Sequence, residues 1–259
     1  TYYTSNSGLA ELRGELSGYL RRRFSLEYDP RDELITTVGG SEAIDIAIRA
    51  LLNPGDEVII PVPSFVCYGP LVTMAGGVPV YVETREENAF KLLADDLRAA
   101  ITSRTKLLVL PYPNNPTGAV MTGEDLAPIA DIVRGSGIFV LSDEIYAELT
   151  YGDKPHVSFA ALDGMRERTI VLNGFSKAFA MTGWRVGYAC GPQALMDLMV
   201  KIHQYTIMCA PTQGQVAAEE ALRRGLENDF EDVRAMVRSY DRRRRLMLDA
   251  FARMGLDCF

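Results

Sequence analysis

Short apolar runs alternate with helical patterns along most of this 259-residue chain. The runs have the length of β-strands and are mostly continuous in their apolar character, which is typical of strands buried on both faces. They cover residues 57–61, 78–83, 106–110, 138–142, 169–173 and 186–190. Helical spacing covers residues 41–52, 65–75, 94–101 and 124–134. Strands and helices that alternate in this way predict a three-layer, doubly wound α/β fold around a mostly parallel sheet.

The chain contains no internal repeat, low-complexity tract or linker, so residues 1–259 are predicted to form one domain. From residue 192 onward the pattern is helical, over residues 193–203, 212–224 and a long charged stretch at 229–254. A long charged helix of this kind often connects to another domain or subunit. The chain begins without Met and its last four residues read like the start of a strand, so we expect both ends to be cut.

Net charge and cysteine content limit the binding partners that this protein can have and the cellular compartment in which it is expected. The net charge of −7 argues against nucleic acid or an anionic membrane as a partner. Two arginine runs, at residues 21–23 and 242–245, lie beside acidic residues in helical patterns and are interpreted as solvated helix faces. The cysteines form no C-x-x-C pair, and no apolar stretch approaches the ~20 residues of a membrane span. We therefore expect a cytoplasmic protein with no metal site and no membrane segment.

The segment Gly39-Gly40-Ser41-Glu42 leads directly into the helical pattern that begins at residue 41. Glycines permit a tight turn, and the free N–H groups at a helix N-terminus bind phosphate. Ser41 also suits an N-cap, and its hydroxyl could reach an anion. Any capped helix after a glycine turn looks the same, so phosphate binding and plain capping both stay open at this point.

Three further polar segments follow predicted strands, where ligands bind in sheets of this kind. Asp143 could hold a protonated ring nitrogen and Tyr146 a ring oxygen, although Asp143 could equally cap the next turn. Asn115 could deliver its amide to a cofactor and a substrate, or belong to an ordinary Asn-Pro turn. Lys177 has almost no charged neighbours before Arg185. A desolvated lysine beside another cation can form a Schiff base with an aldehyde, whereas most lysines are solvated surface groups.

Three motifs occur together and in order: N-P-T-G at 115–118, S-D-E-I-Y at 142–146 and S-K-x-x-x-x-T-G-W-R-x-G-Y at 176–188. As a set they resemble the fold-type I pyridoxal-phosphate enzymes, specifically the class I/II aminotransferases, and the resemblance runs the full length of the chain. It implies the large cofactor-binding domain of an enzyme that moves amino groups between an L-α-amino acid and a 2-oxo acid such as 2-oxoglutarate. It also implies pyridoxal 5′-phosphate as the cofactor, and a helix at 229–254 that leads toward a missing small C-terminal domain. The pattern A-M-T-G-W-R-V-G-Y at 180–188 leans toward the aspartate and aromatic branch.

The resemblance carries residue roles over by motif. Around the ring, Lys177 is implied as the Schiff-base lysine and proton shuttle, Asp143 as the partner of the pyridinium nitrogen, and Tyr146 as the partner of the ring hydroxyl oxygen. Asn115 is implied to contact the same oxygen and the substrate carboxylate. Phe65, in P-S-F-V-C-Y, is implied to stack on the ring.

Around the phosphate, the resemblance implies Arg185 and Ser41 as ligands, together with the backbone N–H groups from Gly40 to Glu42. Tyr3 matches a tyrosine that reaches the phosphate of the neighbouring subunit, which implies a homodimer with shared active sites.

There is one departure from the pattern. Many relatives place Ser or Thr three residues before the lysine, and this chain has Gly174 there. We therefore expect one hydroxyl contact to be absent, and Ser176 is left out of the phosphate group.

Two other functions share most of these features. A pyridoxal-phosphate β-lyase would carry nearly every residue named above, because the outcome depends on how the substrate is held. An aminotransferase-like ligand-sensing domain of a transcription regulator would need a DNA-binding module ahead of residue 1, and nothing basic in this chain supports it. A nucleotide-binding domain is disfavoured, because neither G-x-G-x-x-G nor G-x-x-x-x-G-K-[ST] occurs.

Overall fold

A single mixed sheet runs through the molecule. The computed structural model describes residues 3–152 and 155–258, and the sheet in these ranges has seven strands. They are β1 (Leu34–Thr37), β2 (Glu57–Val62), β3 (Val78–Glu83), β4 (Thr105–Leu110), β5 (Phe139–Asp143), β6 (Thr169–Gly174) and β7 (Gly187–Cys190). Their order is β1-β7-β6-β5-β4-β2-β3, and β7 runs antiparallel to both of its neighbours while the other pairs are parallel. The prediction of a mostly parallel sheet is confirmed.

Helices alternate with these strands along the chain. They are α1 (Ala10–Phe24), α2 (Gly39–Leu51), α3 (Tyr68–Met74), α4 (Ala94–Ala100), α5 (Gly123–Gly135), α6 (Phe175–Ala178), α7 (Gln193–Thr206), α8 (Thr212–Asn228) and α9 (Glu231–Met254). Within the described ranges, no helix combines the length and the apolar character that crossing a membrane requires.

The helices cover both faces of the sheet, which confirms the predicted three layers. Successive side chains of a strand point to opposite faces, and β4 shows the consequence. Leu107 and Val109 pack with α2, α3 and α7, whereas Leu108 and Leu110 pack with α4 and α5 on the other face. At the β1 end of that second face, α1 and α8 pack against each other and against β6 and β7. Burial on both faces explains why the strand sequences are continuously apolar.

Most predicted element bounds agree with the structure to within a few residues, with two differences that bear on the site. The strand β1 was not predicted, because its four residues, L-I-T-T, are too short and too polar to form a recognisable run. The helix predicted at 65–75 begins only at Tyr68. Phe65 therefore lies in the loop that follows β2 rather than on a helix.

The interpretation of residues 21–23 as a solvated helix face is wrong for Arg23. Its guanidinium forms a bidentate pair with the buried Glu148, at 2.9 and 2.7 Å, and its Cζ lies 5.6 Å from the centroid of the Phe230 ring. Burying a carboxylate requires such a partner. At the second run, Arg244 and Arg245 are exposed and pair with Asp241 on the surface of α9, as expected.

Candidate active site

A cavity of about 310 Å³ opens where the parallel strands end. Eight of the predicted site residues line it: Gly40, Ser41, Phe65, Asn115, Asp143, Tyr146, Lys177 and Arg185. They come from several connections at one edge of the sheet, because the carboxyl ends of the parallel strands meet there. Arg185 reaches the same edge from the other direction, since it lies just before the antiparallel strand β7. Two predicted residues, Glu42 and Tyr3, do not contribute to this lining. Ser176, which the sequence interpretation left out, does contribute.

Asp143 is the last residue of β5, is 6% exposed and lines the cavity. Its Oδ2 accepts a hydrogen bond of 2.7 Å from the Tyr68 hydroxyl, and its Oδ1 accepts one of 3.2 Å from the Ile145 N–H. Burial raises the pKa of Asp143 to about 6, the two hydrogen bonds oppose that rise, and the Glu144 charge adds to it. The hydrogen bond from the Ile145 N–H agrees with the turn-capping interpretation of Asp143. Its role as a ligand of a ring nitrogen stays a prediction.

Tyr68 is the site residue that the sequence interpretation missed. It is the first residue of α3, its side chain is 2% exposed, and it lines the cavity beside Asp143. Its ring meets that of Phe65 edge to face, with centroids 6.1 Å apart and an interplanar angle of 85°. The available signal was an aromatic residue three positions after Phe65, but nothing in the sequence connects it with a carboxylate 75 residues away.

Lys177 lies in α6, the short helix that follows β6 directly. Its side chain is half-buried, and its Nζ lies 5.5 Å from the centroid of the Tyr146 ring. In the described ranges, no carboxylate forms an ion pair with this amine. Lys177 lines the cavity, and none of the described carboxylates pairs with its amine in competition with a ligand.

Arg185 and the first turn of α2 form a basic corner of the cavity, which we call the anion cradle (Gly39, Gly40, Ser41 and Arg185). The Arg185 Nη1 donates to the Thr182 carbonyl at 3.0 Å. Its guanidinium lies so close to Gly39 that a Cβ atom on that residue would collide with it, and Gly39 has a φ of +77° that favours glycine. The cradle combines a guanidinium, a serine hydroxyl and helix N-terminal N–H groups, the donors that bind phosphate in proteins.

The Glu42 side chain points away from the cavity. Its Oε2 accepts a hydrogen bond of 2.5 Å from the Val38 N–H, and its Oε1 lies 2.7 Å from Nδ1 of His203, which is fully buried on α7. The carboxylate thus fixes the turn that begins α2. As a phosphate ligand, Glu42 retains only its backbone N–H, which is the group that the resemblance implied.

Gly174 has a structural reason for being glycine. A Cβ atom there would lie 3.0 Å from the Gly187 Cα and 3.1 Å from the Val186 carbonyl oxygen, closer than side chains normally pack. A serine at this position would require the antiparallel neighbour β7 to move. Ser176, two residues later, does line the cavity.

Tyr3 lies outside the cavity, with its side chain 80% exposed. It lines a separate surface opening together with Val38 and Ile207, among others. Val38 directly precedes the anion cradle, so Tyr3 lies on the same side of the molecule as the cradle but does not enter it. A role toward a neighbouring subunit stays a prediction.

Comparison with known proteins identifies the family of this chain. The sequence profile of the family described as aminotransferase class I and II matches residues 1–259. The chain belongs to this family. A Bacillus subtilis (strain 168) protein named for an aminotransferase activity, YugH, is 54% identical over 258 residues, covering 100% of this chain and 66% of the relative. An aspartate aminotransferase of Pyrococcus abyssi is 44% identical, covering 99% of this chain and 65% of the relative.

Solved structures give the same assignment. The crystal structure of an aromatic aminotransferase from Pyrococcus horikoshii OT3 superposes with a TM-score of 0.95 at 44% identity, and covers 98% of this chain and 68% of that chain. The fold is therefore that of the class I and II aminotransferases, as the motifs predicted. The chain spans about two thirds of the length of the curated relatives named here.

Proposed function

We propose that this chain is the cofactor-binding domain of a pyridoxal-phosphate-dependent aminotransferase. The observation that carries the proposal is that a lysine amine, a buried carboxylate and an anion cradle line one cavity at the same sheet edge. Among the described residues, no carboxylate pairs with that amine. Family membership supports the same activity. The residue roles below rest on the cavity geometry and the matching motifs.

The residues present fit the chemistry of the cofactor. Arg185, Ser41 and the N–H groups of the first α2 turn would hold a phosphate. Asp143, in the lining of the same cavity, is a buried carboxylate that has no cationic partner among the described residues, and a ring N–H⁺ would supply one. Phe65 is 38% exposed and contributes an aromatic ring to the cavity lining.

Pyridoxal 5′-phosphate, when bound, supplies an aldehyde and a ring that accepts electrons. The protein supplies the rest. Lys177 would provide the amine that anchors the aldehyde, and when that amine is free it would take and return the substrate Cα proton. Asp143 would hold the proton on the ring nitrogen, and the Tyr146 hydroxyl would donate to the ring oxygen. Asn115 would orient the substrate carboxylate, and Phe65 would shield the ring from water.

We further propose an aspartate-type or aromatic L-α-amino acid as the donor and a 2-oxo acid such as 2-oxoglutarate as the acceptor. Relatives named for aspartate and for aromatic amino acids support this range. The activity can be tested with the purified full-length protein and a panel of L-amino acids. The visible absorption band of the bound cofactor should bleach with a true donor and return when 2-oxoglutarate is added. A band that persists, or decays with release of ammonia, would contradict transamination.

A cytoplasmic homodimer is proposed as the assembly. Its support is the exposed Tyr3 near the cradle, together with the exposed apolar residues Ile207 and Met208 at the end of α7. We also propose that α9 leads toward a smaller C-terminal domain. Leu246, Met247 and Met254 are at least half exposed on α9, and about a third of the length of these relatives lies outside the matched region. Sedimentation of the full-length protein at twice its monomer mass would support the dimer.

Cofactor affinity is expected to fall below about pH 6. Burial raises the pKa of the Asp143 carboxyl to about 6 in the cofactor-free protein, and a protonated carboxyl offers no charge to a ring N–H⁺. Binding below this pH must release the Asp143 proton, so affinity should fall by up to about tenfold per pH unit. Titration of the protein with pyridoxal 5′-phosphate between pH 5 and 8 measures this. An affinity that stays constant down to pH 5 would contradict the assignment of Asp143.

Ser176→Ala is expected to weaken pyridoxal 5′-phosphate binding by about three- to tenfold, the effect of one lost hydrogen bond. Pyridoxal, which lacks the phosphate, should bind the variant and the unchanged protein equally. Ser136→Ala is the matched control, because the Ser136 hydroxyl donates a hydrogen bond to the Val133 carbonyl but lies outside the cavity lining. Equal loss for pyridoxal would mean that Ser176 acts on the ring or on the fold rather than on the phosphate.

A further inference from the structure

The Asp143 carboxyl group is buried, yet its proposed role requires it to be ionised. Burial favours its neutral form, and the adjacent Glu144 carboxylate adds repulsion. A ring N–H⁺ in the cavity would need the ionised form. The groups that stabilise this ionised form before a ligand arrives are the Ile145 N–H and the Tyr68 hydroxyl. Of these two, only the hydroxyl belongs to a side chain and can be removed by substitution.

Tyr68 suits this task in three ways. Its side chain is 2% exposed and packs in the core with α2 and α7 neighbours, so its position is fixed. Burial raises the pKa of its phenol well above the ordinary value, and the Asp143 charge raises it further, so the phenol keeps its proton and can donate. Its hydroxyl donates a hydrogen bond of 2.7 Å to one oxygen of the Asp143 carboxylate, and the Ile145 N–H, in the turn after β5, donates to the other oxygen.

The same tyrosine supports a second wall of the cavity. Its ring contacts that of Phe65 edge to face at 6.1 Å, an arrangement that aromatic pairs favour. Phe65 lies in a loop and is partly exposed, so this contact and the β2 loop together determine where its ring lies. Two groups implied to contact the cofactor ring, Asp143 and Phe65, thus share one buried partner.

We infer that Tyr68 is a positioning residue of this site: its hydroxyl holds the Asp143 carboxylate ionised and oriented toward the cavity, while its ring supports Phe65. The ligand that benefits is a cationic heteroaromatic ring, and in this respect the inference rests on the proposed function. Other titratable groups that face Asp143 are Glu144 and Cys67, whose thiol lies near its charge, and Tyr146 and Lys177 across the cavity. None of these forms a hydrogen bond with Asp143 in the described structure.

The test is Tyr68→Phe, which removes the hydroxyl and keeps the ring that contacts Phe65. Because a hydrogen bond to the charged form lowers a carboxyl pKa, its loss should raise the pH midpoint of pyridoxal 5′-phosphate binding by about one unit. At pH 6.5 the variant should bind the cofactor several-fold more weakly, and the difference should shrink by pH 8. An unchanged midpoint would overturn the inference.

Tyr19→Phe is the matched control. Tyr19 is also a 2% exposed tyrosine whose hydroxyl donates to a buried carboxylate, Glu148, at 3.0 Å, but it does not line the cavity. Thermal unfolding should show a comparable loss of stability in both variants. Only Tyr68→Phe should move the pH midpoint. A shift of the pH midpoint of the same size in Tyr19→Phe would show that Tyr68 acts only through the general stability of the protein, and would overturn the inference.

A measurement without cofactor separates this inference from the proposed function. The Asp143 carboxyl can be titrated by carbon-13 NMR in the cofactor-free protein, with its signal assigned from Asp143→Asn. Tyr68→Phe should raise the midpoint of that titration. If it does so while neither protein binds pyridoxal 5′-phosphate, the proposed cofactor is wrong and the role of Tyr68 toward Asp143 stands. If the cofactor binds and the carboxyl midpoint does not move, the inference about Tyr68 fails alone.

Discussion

Lys177→Ala should abolish steady-state amino transfer, with a loss of at least about 10⁴-fold. The substitution removes both the amine that anchors the aldehyde and the base that moves the Cα proton, and no other lysine lines the cavity in the described structure. Turnover with the preferred amino acid and 2-oxoglutarate measures the loss. Borohydride reduction followed by mass spectrometry should attach the cofactor to the peptide that contains Lys177 in the unchanged protein, and should leave the variant unmodified.

Lys201→Ala provides the comparison, because Lys201 is an exposed lysine on α7. It should retain full activity and full labelling. Normal turnover in Lys177→Ala, or labelling of a different lysine in the unchanged protein, would show that the anchoring residue has been misassigned.

Asp143→Asn should reduce activity by about 10²- to 10³-fold, the usual effect of losing one preorganised electrostatic contact to the reacting group.

The same substitution should stabilise the cofactor-free protein against unfolding. Burial raises the folded-state pKa of Asp143 to about 6 from an ordinary 3.8, so ionisation opposes folding. This loss of folding stability through ionisation of Asp143 is absent below about pH 4, grows between about pH 4 and 6, and is complete above about pH 6. Asp143→Asn should therefore increase the free energy of unfolding of the cofactor-free protein by on the order of 2 kcal/mol at pH 8, and by almost nothing at pH 4.

Urea unfolding of the cofactor-free proteins at both pH values measures this difference. Asp125→Asn offers a comparison of opposite sign. Burial alone would raise the pKa of Asp125, but hydrogen bonds from Lys91 and Thr122 outweigh it and lower the pKa. That variant should lose stability at pH 8, and the loss should fade as the pH falls through the lowered pKa. Destabilisation of Asp143→Asn at pH 8 would show that the Asp143 carboxylate is better solvated than its burial indicates.

Most of the predicted site residues line one cavity for a physical reason. In a parallel sheet, every residue that follows a strand is delivered to the same edge. Asp143 and Lys177 could therefore be assigned to one site from sequence position alone, once the strands before them were recognised. Glu42 shows the limit of that reasoning. Its position in the first α2 turn was correct, but the direction of its side chain depends on His203, which belongs to a helix much later in the chain.

The sequence by itself determined the layered α/β fold and the motif residues that line the cavity. Apolar periodicity, turns and strand-end motifs are local properties, and the chain displays them directly. Only the tertiary structure decided which buried polar groups meet: Tyr68 with Asp143 across 75 residues, Arg23 with Glu148 across 125, and His203 with Glu42 across 161. Many side chains could satisfy each buried carboxylate equally well in chemical terms. The packing of α1, α3 and α7 onto the sheet selects the one that does.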